Sequence, residues 1–225
     1  MDAAEIKAIE EQTVLFALLK EIYLRNPDKT LVESIRTIDP EEIENSSMKA
    51  ALEQMKAYAL ASGTEEKDEK FLNLKRDWTK LFRGVSPVYG PKAPYGILHM
   101  DDAGERRMAD LAALYIDGGY SEFQEKSERI DYIGFGFGYL SRLYLQIINA
   151  FETEDSVELK RLKLCERVFV SEYFLPWVGK FCEEAAKFAV TDFYKGVLEL
   201  TKASMDSFKT AEVKETVTAL FRQSS

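Results

Sequence analysis

One stretch, residues 128–140 (ERIDYIGFGFGYL), constrains the fold more than any other, because an alternating pattern there runs into a long apolar segment. Apolar side chains stand at every second residue from 133 to 139, a pattern typical of a strand. From 140 to 148 they recur at steps of three and four residues, the spacing of one helix face. Since no break separates the halves, we predict one helix over 131–152, with Asp131 as its N-cap.

Three alternate glycines, Gly134, Gly136 and Gly138, fall inside this predicted helix. Each should cost about 0.5–1 kcal/mol relative to alanine. Such a cost calls for close approach of another backbone, ligand access, or a deliberately soft helix turn. We predict close approach of another backbone or of a client at Gly136, which stands between two phenylalanines, and leave Gly138 open. No strand precedes the glycines and their spacing is wrong, so they are not a dinucleotide-binding fingerprint.

The remaining segments also have helical periodicity, and none has convincing strand character. Helix-start patterns are a capping box at Thr30 and Glu33 and the sequence Asp39-Pro40. We predict an all-α fold of about eight to ten helices in one domain, residues 1–225. The alternative is a division into 1–84 and 102–225 around a Pro-rich loop, 85–101. The other predicted helices lie at 2–25, from 30 onward, 39–61 with a possible break at 45–47, 66–83, 102–117, 154–173, 175 to about 200, and 210–221.

The Pro-rich loop combines helix-breaking residues with apolar and aromatic ones, in the sequence GVSPVYGPKAPYGIL. Prolines and glycines at this density exclude a helix or a central strand. A long loop that is both rigid and apolar usually packs over something or binds something.

Composition excludes several classes of protein. A net charge of −9 argues against a nucleic-acid partner. A single histidine, His99, excludes the usual histidine-based metal sites, and we expect no metal and no cofactor. No segment suits a signal peptide or a membrane span, so we expect a soluble cytoplasmic protein with reduced, buried thiols at Cys165 and Cys182.

Two acids and three aromatic residues carry competing interpretations. Glu128 and Asp131 suit a helix cap with a solvated neighbour, a binding pair, or general acid–base chemistry, for which no nucleophile or metal cluster is present. Trp78 and Phe82, at helical spacing, favour core positions over a groove. For Tyr95, on the Pro-rich loop, core and groove are evenly balanced.

Four segments in order resemble the TorD/DmsD/NarJ family: DWTKLFRG (77–84), APYG (93–96), ERIDYIGFGFGYL (128–140) and FLPWVGKFCEEAAKFAVTDFYKGVLEL (174–200). Asp77, Trp78, Leu81 and Phe82 match a D-[YF]-x-x-L-F segment of that family. Pro94 and Tyr95 match its P-Y-E segment, in which Gly96 here replaces the glutamate. Glu128 and Asp131 match an E-P-x-D-H segment, in which Arg129 here replaces proline and Tyr132 replaces histidine. Gly136 and Gly138 stand where relatives carry glutamates.

The resemblance implies a cytoplasmic chaperone that is not an enzyme. Such a protein binds the twin-arginine leader, or the apo form, of a molybdopterin oxidoreductase catalytic subunit until its cofactor is inserted. The residues it implicates in binding are Asp77, Trp78, Phe82, Pro94, Tyr95, Glu128, Asp131, Tyr132 and Gly136. We expect a monomer, with a helix-swapped dimer as the alternative. The competing hypothesis is a small-molecule or nucleotide-binding helical protein, or an enzyme, that uses Glu128 and Asp131.

Overall fold

The predicted all-α fold is confirmed by the computed structural model, which describes residues 3–84, 88–100, 105–125 and 128–223. Across these ranges there is no strand and there are nine α-helices. Their bounds are α1 Ala3–Leu24, α2 Lys29–Thr37, α3 Ser46–Ala61, α4 Glu69–Phe82, α5 Glu105–Asp117, α6 Ile133–Glu152, α7 Ser156–Val168, α8 Leu175–Ala186 and α9 Asp192–Gln223.

Two helix starts in the first third differ from the predicted ones. Asp28, rather than Thr30, caps α2, and its carboxylate accepts the backbone N–H of Leu31. Asp39 begins only a 3₁₀ turn, Pro40–Glu42, and α3 starts afresh behind Asn45. The side-chain amide oxygen of Asn45 accepts two backbone N–H groups, so the helix is interrupted at the place where the sequence allowed a break.

The boundaries of the C-terminal helices differ from the predicted ones. The helix expected over 154–173 becomes α7 followed by a wider π-helical segment, Phe169–Phe174, which leads directly into α8. The long helix expected from 175 to about 200 is broken at residues 187–191. Residues 210–221, expected as a separate short helix, continue α9.

Helix α6 lies at the centre of the core, and every residue from Ile133 to Ser141 is buried. It packs along α1, while α3 packs along α9. The rings of Phe16 and Tyr23 on α1 each lie 5.8 Å from the ring of Phe137 on α6. Segments from before and after the Pro-rich loop therefore share one core, the arrangement that a single domain requires.

Nowhere in the described ranges is a helix both long enough and apolar enough to cross a bilayer. Cys165 and Cys182 are free and buried, as expected.

Candidate functional site

The Pro-rich loop is fastened to the start of α6 by an isolated antiparallel bridge between Tyr95 and Tyr132. Ile133 N–H donates to the carbonyl of Pro94 at 2.9 Å, and Gly96 N–H donates to the carbonyl of Asp131 at 3.0 Å. The two tyrosine rings lie 5.0 Å apart. Two of the segments that carry the family resemblance thus meet here, although Tyr95 and Tyr132 are 37 positions apart in the sequence.

Glu128 is the hub of a hydrogen-bonded network beside this bridge. One carboxylate oxygen accepts from the Arg83 guanidinium at 2.5 Å, and the other accepts from the Tyr95 hydroxyl at 2.5 Å. The Arg83 guanidinium also lies 5.6 Å from the centre of the Trp78 ring. A third segment of the resemblance, 77–84, is thereby joined to the other two.

The network keeps Glu128 charged and Tyr95 protonated. Burial raises the pKa of Glu128, but the hydrogen bonds from Tyr95 and Arg83 outweigh it and lower the pKa below its ordinary value. Burial, together with the hydrogen bond to Glu128, raises the pKa of Tyr95 to about 12. Glu128 is therefore an anionic acceptor at neutral pH, suited to cations rather than to proton donation.

Asp131 lies in the same turn but does not cap α6 as predicted. Helix α6 starts at Ile133 behind Tyr132 and has no side-chain cap. The buried Asp131 carboxylate turns instead to the Pro-rich loop, where it accepts Ile97 N–H at 2.8 Å, and it pairs with Arg129 at 3.2 Å. The bridge is the physical reason, because it holds the loop against residue 131 and so brings the N–H of Ile97 within hydrogen-bond distance of this carboxylate.

Gly136 faces the ring of Phe174 from the π-helical segment. A β-carbon at residue 136 would overlap that ring, with 2.9 Å to Cζ. A clash of an added β-carbon is present, as predicted, but the group that fills the place is an aromatic side chain of the chain itself and not the backbone or client that the sequence led us to expect. At Gly138, which the sequence left open, a β-carbon would meet the ring of Tyr120 at 2.8 Å from Cζ.

A narrow cleft runs between the bridge, α5, the start of α6 and the π-helical segment. Asp131, Tyr132 and Gly136 line it, and aromatic residues of the π-helical segment form the opposite wall. Its free volume is about 10 Å³, enough for about one water molecule. A side chain of a client could enter only if the walls moved apart.

The π-helical segment that forms one wall of this cleft lacks a backbone N–H donor at Pro176, and side chains donate to its backbone carbonyls. Pro176 has no N–H, so the α-helical bond from residue 176 to the carbonyl of Glu172 cannot form. The Arg107 guanidinium donates to that carbonyl and lies 4.8 Å from the centre of the Tyr173 ring. The Trp177 indole N–H donates to the carbonyl of Tyr173 at 2.8 Å.

Three residues implicated by the resemblance lie in the core rather than in a groove. Phe82 is fully buried, and Trp78 is buried with its indole N–H donating to the carbonyl of Ile22 at 2.9 Å. Asp77 is buried as well, and its carboxylate accepts the N–H of Val190 at 3.0 Å and that of Thr191 at 2.8 Å. The carboxylate also accepts the Thr191 hydroxyl at 2.7 Å, so Asp77 holds the break between α8 and α9. Direct contact of Asp77 or Phe82 with a client would need rearrangement, whereas Trp78 presents to the surface only the ring face that Arg83 covers.

Apolar side chains of the Pro-rich loop are exposed beside the site. Ile97 and Leu98 follow the bridge directly, and Val88 and Tyr89 project from the earlier part of the loop. Residues 85–87 and 101 of the predicted loop lie outside the described residues, and so do residues 102–104, the predicted start of the next helix. Exposed apolar residues next to a carboxylate network suit a ligand with both apolar and cationic parts.

Sequence reasoning missed the cationic members of the site. Arg83 stands in the quoted segment DWTKLFRG, one residue after the matched phenylalanine, and its proximity to an aromatic motif was an available signal. Arg107 had no signal, because its partners Glu172 and Tyr173 are more than 60 residues away. In the described ranges, histidine, cysteine and carboxylate side chains form no cluster of three or more that could hold a metal ion.

Two comparisons with known proteins agree with these observations. A family model described as the nitrate reductase delta subunit matches residues 42–183, a span that includes all nine implicated residues. The chain is also similar to the Chaperone protein TorD of Vibrio parahaemolyticus serotype O3:K6 (strain RIMD 2210633). The two are 20% identical over 205 residues, which cover 87% of this chain and 92% of that protein.

Proposed function

This chain belongs to the nitrate reductase delta subunit family, the family of the TorD and NarJ chaperones, and from that membership we propose that it is a maturation chaperone for a molybdopterin oxidoreductase. It binds the leader or the apo form of the catalytic subunit in the cytoplasm and holds the subunit for cofactor insertion. The proposed binding surface consists of the Glu128 network, the Tyr95–Tyr132 bridge and the exposed residues Ile97 and Leu98.

The observation that carries this proposal is the meeting of a charged carboxylate network with exposed apolar residues at one bridge. A twin-arginine leader has a cationic part and an apolar part. Carboxylates make charge-assisted hydrogen bonds to guanidinium groups, and the apolar part can bury against Ile97 and Leu98. The net charge of −9 adds long-range attraction for a basic segment.

The same geometry gives little support to acid–base chemistry. A general acid needs a carboxyl group that is protonated near neutral pH. The pKa of Glu128 is lowered instead, and Asp131 is engaged by Ile97 and Arg129. Both acids act as acceptors, as a binding site requires.

The test is co-purification with candidate catalytic subunits, made with and without their leaders, followed by calorimetry with the leader peptide. We expect capture of the precursor and a negative heat-capacity change on peptide binding, from the apolar surface that is buried. A peptide whose two arginines are replaced by glutamine should bind more weakly, and the difference should shrink as salt screens the charges. Equal binding of both peptides at low salt would refute the role of charge. Failure to capture any precursor, with or without its leader, would refute the function.

A further inference from the structure

The Arg83–Glu128 pair has the composition of a guanidinium-binding site that is already filled. Its acceptor is a carboxylate whose other oxygen is fixed by Tyr95 at 2.5 Å. Its aromatic wall is the Trp78 ring, 5.6 Å from the Arg83 guanidinium. A carboxylate and an aromatic face are the two groups that best recognise a guanidinium, through charge-assisted hydrogen bonds and cation–π attraction.

The pair lies at the surface, where it can exchange. The Arg83 side chain is 40% exposed and the Glu128 side chain 19% exposed. Exposed ion pairs contribute little to stability, so opening this one costs little. Once Arg83 has left, Glu128 keeps the hydrogen bond from Tyr95, and its other carboxylate oxygen is available to a second cation.

We propose that Arg83 is an internal substitute for a client arginine: it neutralises Glu128 in the free protein, and a leader guanidinium takes its place on Glu128 when the client binds. The proposal rests on the proposed function and adds a competition within the chain. Arg83 lowers the apparent affinity for a leader arginine that binds Glu128, because only molecules with Glu128 released can bind it. It also imposes selectivity, since a segment without a guanidinium cannot replace what Arg83 supplies.

The first test compares leader affinity in the wild type, Arg83→Ala and Arg25→Ala. Arg25 is exposed and pairs with Glu21 and Asp28 rather than with Glu128, and Arg25→Ala makes the same change in net charge. We expect Arg83→Ala to bind the twin-arginine peptide about two- to fivefold more tightly than the wild type, the range that corresponds to a surface ion pair. Arg25→Ala should bind as the wild type does. The gain should vanish for the peptide whose arginines are glutamines. Unchanged or weaker binding by Arg83→Ala would overturn the proposal.

The second test needs no client and uses methylguanidinium as the probe. In a Trp177→Phe background, Trp78 is the single tryptophan and lies against the site. We expect methylguanidinium to change Trp78 fluorescence saturably in Arg83→Ala, and to do so neither in a protein that retains Arg83 nor in Arg83→Ala combined with Glu128→Gln. Arg83→Gln, which keeps a long polar side chain, serves as a second variant if Arg83→Ala folds poorly. If methylguanidinium leaves Trp78 fluorescence unchanged in both Arg83→Ala and Arg83→Gln, then Glu128 and Trp78 form no guanidinium site.

The two tests separate this inference from the function on which it rests. If the leader binds the wild type, Arg83→Ala and Arg25→Ala equally, the chaperone function stands and the exchange is wrong. If no leader binds any of them while methylguanidinium fills the emptied site, the proposed function fails and the guanidinium site stands.

Discussion

At the scale of single residues, Gly136 shows how one missing side chain sets the width of the site. The ring of Phe174 occupies the place of a β-carbon and is itself packed against Phe137 and Trp177. Because the ring cannot move freely, Gly136→Ala should destabilise the protein by about 1–3 kcal/mol, the usual cost of overpacking. Denaturant unfolding measures the effect.

Gly179 provides the control for this prediction. It lies inside α8 and a β-carbon there meets nothing within 4 Å, so Gly179→Ala should stabilise by about 0.5–1 kcal/mol through helix propensity alone. Combining Gly136→Ala with Phe174→Leu should recover part of the loss, since the shorter side chain removes the overlap. If Gly136→Ala is as stable as Gly179→Ala, the close contact is not what keeps glycine at this position.

Asp77 is expected to matter for folding even though the resemblance places it among the binding residues. Asp77→Ala would leave the N–H groups of Val190 and Thr191 without their acceptor. The cost should be at least about 2 kcal/mol in the free energy of unfolding. The exposed Asp192, which begins α9 and pairs with Lys195, is the matched control, and Asp192→Ala should cost less than about 1 kcal/mol. If Asp77→Ala is as stable as the wild type but binds the client more weakly, Asp77 belongs to the surface that contacts the client.

Glu128 should make stability depend on pH in the acid range. Its pKa in the folded protein lies below the ordinary value of 4.5, so protons bind the unfolded chain first as the pH falls. The stabilisation is therefore complete above pH 4.5 and is lost as the pH falls through the folded-state value. Glu128→Gln should remove this dependence, and Arg83→Ala should reduce it by removing one of the two donors. Unfolding curves from pH 3 to 7 that superimpose for wild type and Glu128→Gln would contradict this account.

At the scale of elements, the π-helical segment is positioned by Pro176 together with Arg107. Pro176→Ala would restore an N–H group that can serve the carbonyl of Glu172, where the Arg107 guanidinium now donates. Arg107→Ala should therefore cost about 1 kcal/mol or more in the wild type and clearly less in the Pro176→Ala background. A double-mutant cycle measures this coupling. Additive effects would mean that Arg107 does not stabilise the segment through its hydrogen bond to the carbonyl of Glu172.

At the scale of the whole molecule, the packing of α1 on α6 and of α3 on α9 predicts one cooperative unfolding unit rather than separate units 1–84 and 102–225. The two tryptophans fall one in each of these parts, Trp78 and Trp177. Two variants, Trp177→Phe and Trp78→Phe, each retain a single tryptophan. In each variant, the urea transition measured by fluorescence should coincide with the transition measured by circular dichroism. A fluorescence transition that precedes the loss of helix in either protein would favour two units.

Sedimentation of the wild type tests the expectation of a monomer against a helix-swapped dimer.

The sequence by itself determined the helical class and the position of the central helix. The reason is that helix formation follows from local spacing, and the apolar steps from Leu140 to Ile148 fit only one periodicity. It also indicated that Gly136 has no room for a side chain, because a glycine between two phenylalanines is costly unless something fills its place, although not that Phe174 fills it. Three of the four motifs that carry the family resemblance meet around Glu128, but the sequence did not give the contacts among them.

Only the tertiary structure decided what each polar group binds. Asp131 looked like an N-cap because short acids before apolar helices usually are, yet the bridge offered it the N–H of Ile97 instead. Asp28 displaced the capping box expected at Thr30, and Asp77 held a helix break that periodicity alone had hidden. Arg83 and Glu128, 45 residues apart, met only through the fold. A polar side chain can bond to any donor or acceptor that folding brings within about 3 Å. Sequence spacing reveals only the partners on its own helix.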